Sequence, residues 1–121
     1  MDKAVARKTF ESLASGLRLD IFCLLVRSGG EGRVAGEIAE ALGLPATNLS
    51  FHLKAMLGSG LVTVQPEGRY QRYRANVPHM LRVLAFVMEN CAHAGVEAGS
   101  CVALPKRGAT GRRAIASLSR P

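Results

Sequence analysis

The chain has 121 residues, 48% of them apolar and 21% charged, enough for one domain with a modest core, most of which should fold. No run of about 18 apolar residues offers a membrane span, and the opening "MDKAVARKTF" lacks the apolar centre of a secretion signal. The expected location is therefore the cytoplasm, where three cysteines stay reduced and an odd count argues against a disulfide framework.

The net charge of +7 is uneven. Residues 103–121 hold Lys106, Arg107, Arg112, Arg113 and Arg120 and no acid. The body before them is close to neutral, so it is not a general polyanion binder. A basic tail can add phosphate contacts or simply remain solvated.

Lys3 to Ala14 reads as a first helix with Phe10, Leu13 and then Leu17 on one side. A second runs from about Leu17 to Arg27, with Leu17, Ile21, Leu24 and Leu25 at helical spacing, and "SGGEG" ends it. A third spans roughly Val34 to Leu42, burying Ile38 and Leu42, and Gly43 closes it. Pro45 then suits a helix start, and Leu49, Leu53, Met56 and Leu57 stripe a fourth helix that ends at Gly58-Ser59-Gly60. Two short helices around a tight glycine turn, the second polar on one face, fit a helix-turn-helix.

Leu61 to Val64 favours a strand, Pro66-Glu67-Gly68 a turn, and Tyr70 to Ala75 a returning strand. Such a hairpin after a helix-turn-helix is a wing, here with Arg69, Arg72 and Arg74 along its return arm. The last helix runs from near Pro78 to about Cys91, with Met80, Leu84, Val87, Met88 and Cys91 on one stripe and Leu81, Val83 and Phe86 elsewhere. A helix apolar on several sides predicts a subunit interface, shared with the first helix; an intrachain core helix is the plainer alternative.

The segments "SLASGLRLDIFCLL", "VAGEIAEALGL", "NLSFHLKAMLGSGLV" and "EGRYQRYRA", in this order and spacing, resemble the ArsR/SmtB family of bacterial winged-helix repressors. The resemblance covers roughly Glu11 to Cys91. It implies a mainly α fold with a β-hairpin wing, in the order ααααββα, assembled as a homodimer on a two-fold operator. It also implies release of DNA when a metal or metalloid binds. The expected division is a DNA-binding and dimerisation domain over 1–92 and a thiol-containing loop with a basic tail over 93–121.

On that reading the fourth helix enters the major groove. Ala46, Thr47, Asn48, Ser50 and His52 are available on its polar side. Asn48 can pair with adenine, Thr47 and Ser50 suit base edges or phosphate, and Ala46 could meet a thymine methyl. Lys54, Arg69 and Arg72 suit backbone or minor-groove contact. His52 could instead hydrogen-bond internally, Asn48 could merely stabilise the helix start, and Arg74 could be a solvated strand charge.

The family's cysteine motif at the start of the third helix is missing, since Val34, Ala35 and Gly36 stand there. The zinc positions of the last helix match Val77, His79, Asn90 and His93, of which two can ligate. What remains is "NCAHAGVEAGSC", which resembles the arsenic-responsive branch whose cysteines lie at the end of the last helix and beyond. Cys91 and Cys101 are the expected ligands for trivalent arsenic, as arsenite or methylarsenite, with antimonite possible. A third thiol of that branch is replaced by Ala92, so oxygen or hydroxide, the methyl group of a methylated arsenical, or a cysteine of the partner chain would complete the shell. The two thiols can meet only if the chain folds back between them. Alternatives are a zinc or cadmium site adding His93 and Glu97, and a reversible disulfide. Cys23, within an apolar helix, reads as a small core residue.

An enzyme is not expected. A thiol-dependent arsenate reductase wants its nucleophile in an anion-binding loop at a helix start, whereas Cys91 sits at a helix end.

Overall fold

The computed structural model describes residues 1–93. It contains five α-helices and three strands in that range: α1 (Lys3–Leu13), α2 (Gly16–Ser28), β1 (Arg33–Val34), α3 (Ala35–Leu42), α4 (Ala46–Gly58), β2 (Val62–Glu67), β3 (Tyr70–Ala75) and α5 (Val77–His93). A short 3-10 turn, Gly29–Glu31, follows α2. The chain divides into two units, 1–83 and 84–121, and α5 runs across the division.

Local chemistry sets the helix boundaries. Asp2 accepts from the Ala4 N–H at 3.3 Å, and Ser15 accepts from Arg18 N–H at 3.4 Å, which satisfies donors at the starts of α1 and α2. Asn76 does the same for α5 through His79 N–H at 3.3 Å. Glu37 reaches back to accept from Val34 N–H at 3.1 Å, fixing the start of α3. Pro45 precedes α4, and Gly43, in the left-handed region at φ 65°, ends α3.

The core of the first unit joins Ile21, Phe22, Leu24 and Leu25 of α2, Ile38 of α3, Leu49, Leu53 and Met56 of α4, and Leu61 and Val62 at the start of the wing. Each of these large side chains contributes about 1.5–3 kcal/mol by leaving water. Tyr73, Ala75 and Met80 pack against its margin. The helix-turn-helix and the wing are thus anchored on one apolar cluster. Of the stripes expected for α2 and α4, Ile21, Leu24, Leu25, Leu49, Leu53 and Met56 are buried, while Leu17 and Leu57, and Leu42 of α3, are half-buried at the margin of the core.

The sheet has the order β1-β3-β2, antiparallel throughout. The two-residue β1 is an addition to the expected hairpin: Arg33 pairs with Tyr73 and Val34 with Arg72. The turn also differs. Pro66 and Glu67 belong to β2, opposite Gln71 and Tyr70, and the reversal falls at Gly68-Arg69. Pro66 is tolerated there because β2 is an edge strand.

Two helices bury different faces from those expected. In α1 the buried residues are Ala6, Thr9 and Ser12, while Phe10 is exposed and Leu13 half-buried. In α5 Val83 is fully buried, while Leu81, Leu84 and Val87 are exposed. Periodicity finds an apolar stripe, but a single chain covers only part of it.

Candidate nucleic-acid interface

Helix α4 presents two faces. Leu49, Leu53 and Met56 are buried; Ala46, Thr47, Asn48, Ser50, Phe51 and Lys54 are exposed. No acidic residue interrupts Ala46–Gly58. The outward face therefore combines the Thr47 and Ser50 hydroxyls and the Asn48 amide in the first half of the helix with the Lys54 ammonium one turn further on, a donor-rich surface suited to base edges and phosphate.

His52 is placed differently from the other residues named on this helix. It is half-buried, and its Nδ1 accepts from Arg18 Nε at 3.1 Å. In this arrangement the ring proton lies on Nε2. Arg18 of α2 therefore orients His52, and the pair ties the two helices together near the reading face. Arg18 carried no signal in the sequence, because its partner is 34 residues away.

The wing arginines are also divided. Arg69 is exposed in the turn. Arg72 forms a two-pronged ion pair with Glu67, Nε to Oε2 at 2.9 Å and Nη2 to Oε1 at 3.0 Å, and donates through Nη1 to the Glu31 carbonyl at 3.0 Å. Arg74 donates to the Gly30 carbonyl at 2.6 Å and to Gln65 at 2.8 Å. The hydrogen bonds from Arg72 hold the Glu67 carboxyl below the usual carboxylate range, and Glu67 in turn raises the Arg72 pKa. These two arginines fasten β3 to the loop before β1. Glu67 was not anticipated because the pairing is diagonal across the hairpin, which a linear reading does not display.

At the other candidate site, Cys91 lies in the last turn of α5 as a free, half-buried thiol. Cys101, Glu97, the fold-back between the cysteines and the basic tail lie outside the described residues. Among the described residues no group of three or more His, Cys, Asp or Glu is placed to hold a metal ion. His79 is 9% exposed, with Nε2 at 2.9 Å from Thr9 Oγ1. Cys23 is half-buried in α2. None of the described helices is long and apolar enough to cross a membrane.

A helix pair packed at a tight turn, followed by a stranded wing, defines a winged helix-turn-helix domain. A family profile described as "Helix-turn-helix domain" matches residues 13–65. Two solved structures of one fragment, residues 1–100 of a possible transcriptional regulator from Mycobacterium bovis, are similar at 31% and 34% identity. They cover 78% and 74% of this chain, 86% and 92% of theirs, each with a TM-score of 0.58. The first is described as a homodimeric winged helix-turn-helix DNA-binding domain of a possible ArsR-family regulator. The chain belongs to the ArsR/SmtB family of winged helix-turn-helix transcriptional regulators.

Curated relatives include the HTH-type transcriptional regulator Rv0324 and the HTH-type transcriptional repressor SmtB, both of Mycobacterium tuberculosis. The first is 35% identical over 79% of this chain and 43% of its own length; the second is 32% identical over 77% and 64%. The chain therefore spans about half to two thirds of the curated relatives it matches. An ArsR-like regulator from Rhodococcus sp. RHA1 shares the fold at 22% identity, with a TM-score of 0.65.

Proposed function

We propose that this chain is a homodimeric DNA-binding repressor that leaves its operator when trivalent arsenic, or antimony, binds the thiolates of Cys91 and Cys101. The observation that carries the DNA half is the acid-free, exposed face of α4, with Thr47, Asn48 and Lys54 presented opposite the core. A homodimeric relative supports the assembly. So does the exposure of Leu81, Leu84 and Val87 on α5 and of Val5 and Phe10 on α1, apolar surface suited to a second copy.

The sensing half rests on donor chemistry. Soft thiolates select thiophilic ions, and Cys91 is a free thiol on the helix proposed to pair in the dimer. Bringing Cys101 to Cys91 would bias that helix and, through it, the spacing of the two α4 helices. Near-complete switching needs a differential affinity of about 5.5 kcal/mol between the two states.

A second reading has the same fold respond to zinc or cadmium, with His93 and Glu97 joining the cysteines. The presence of those two donors between Cys91 and Cys101 is what favours it.

The test is fluorescence anisotropy of the reduced protein on a DNA duplex enriched from a random library by the protein itself. Arsenite, methylarsenite, zinc and cadmium are titrated separately. Release by an arsenical, lost in Cys91→Ser with Cys101→Ser, supports the first reading. Release by zinc or cadmium alone supports the second. Release by arsenite that persists in the double variant places the sensor elsewhere.

A further inference from the structure

The most exposed large apolar side chain of the described helices is Phe51, at 66%. It lies two residues after Leu49 and two before Leu53, so each step of about 200° puts it opposite the buried stripe. Its helical neighbours at i−4, i−3 and i+3 are Thr47, Asn48 and Lys54, all exposed. The ring is not isolated. It meets the His52 ring edge-on, with centroids 5.5 Å apart and planes at 74°, and His52 is held by Arg18. An aromatic ring is thus presented at the crest of a donor-rich, acid-free helix face and steadied from one side.

We propose that Phe51 is a specificity residue that reads the 5-methyl group of a thymine in the major groove. The inference rests on the DNA-binding reading of α4. Thymine carries the apolar group that the major groove displays, and an aromatic side chain is a suitable partner for it. One turn earlier, Asn48 has the donor and acceptor pair that suits adenine N6 and N7. Together the two residues would favour A·T-rich half-sites, one by hydrogen bonds and one by apolar contact. Charge supports DNA as the occupant of this crest: Lys54 stands beside the ring, and α4 has no carboxylate to repel phosphate.

The test uses the full chain and the duplex it enriches from a random library, with each thymine replaced in turn by deoxyuridine, which lacks only the methyl group. At one thymine per half-site the wild type is expected to lose about fourfold in affinity, the equivalent of one buried methyl. Phe51→Ala, which removes the contact from both subunits, is expected to bind the unmodified duplex about sixteenfold more weakly and to be indifferent to deoxyuridine there. Phe51→Leu, which keeps an apolar side chain, is expected to retain part of the discrimination. A wild type indifferent to deoxyuridine at every thymine overturns the proposal, without need of any variant. So does a Phe51→Ala protein that keeps the full deoxyuridine penalty. Failure to enrich any duplex overturns the DNA reading itself, a different outcome from an enriched duplex whose methyl groups do not matter.

Discussion

His79 Nε2 lies 2.9 Å from Thr9 Oγ1, joining the first turn of α5 to the middle of α1 across 70 residues of sequence. The Thr9 hydroxyl also lies 2.9 Å from the Val5 carbonyl and 3.4 Å from the Ser59 carbonyl, so the ring nitrogen and the hydroxyl share a buried polar cluster. Both residues are buried. Thr9→Val keeps the shape and removes the hydroxyl, leaving the buried His79 Nε2 without its partner. It is expected to lower unfolding free energy by about 1–3 kcal/mol, read from urea denaturation. Thr9→Ser should lose much less. Equal losses in the two variants would mean that packing, not the hydrogen bond, matters at this site.

Gly60 roofs the same histidine. Its φ of +85° is one that other residues rarely adopt, and a Cβ would stand 2.9 Å from His79 Cε1. Gly60→Ala is expected to destabilise by about 1–3 kcal/mol. Gly58→Ala, where a Cβ meets nothing within 4 Å, should be neutral or stabilise by up to about 1 kcal/mol. Thermal melts of the two variants side by side check the contrast.

The Glu67–Arg72 pair makes a prediction about pH. Because the folded carboxyl titrates below its unfolded value, its stabilising contribution is present above the ordinary carboxylate range. It is lost as pH falls through the lowered folded value. Carbon-detected NMR of the Glu67 side chain should show a midpoint below that of a free glutamate peptide, near 4.3. Replacing Arg72 with Gln should move the midpoint back up.

Glu67→Gln also releases the Arg72 guanidinium and removes a carboxylate from the wing. Affinity for random-sequence duplex is expected to rise, with a steeper dependence on salt by about one phosphate contact per subunit. Unchanged affinity and slope would show that Arg72 does not approach the backbone.

Leu81 is 58% exposed on α5. Leu81→Glu should leave the helical circular dichroism intact and shift the mass seen by light scattering from dimer to monomer. Affinity for the enriched duplex should fall with it, because one monomer reads one half-site. A dimer that survives both Leu81→Glu and Leu84→Glu would place the subunit interface off this face.

The residue pattern determined the order of helices and strands, the helix-turn-helix, the wing and the stripes of α2 and α4. These depend on local periodicity, on Pro45, and on glycines such as Gly43, all of which act within a few residues. The exposed donors of α4 were legible for the same reason. Only the tertiary structure decided that α1 buries Ala6 and Thr9 rather than Phe10, and that β1 joins the wing. It also showed His52, Arg72 and His79 held by Arg18, Glu67 and Thr9. Ion pairs and buried hydrogen bonds depend on where distant segments meet, and periodicity carries no information about such meetings. Phe51 shows the boundary most clearly: its position off the buried stripe is written in the sequence, but its exposure follows from what the rest of the chain leaves uncovered.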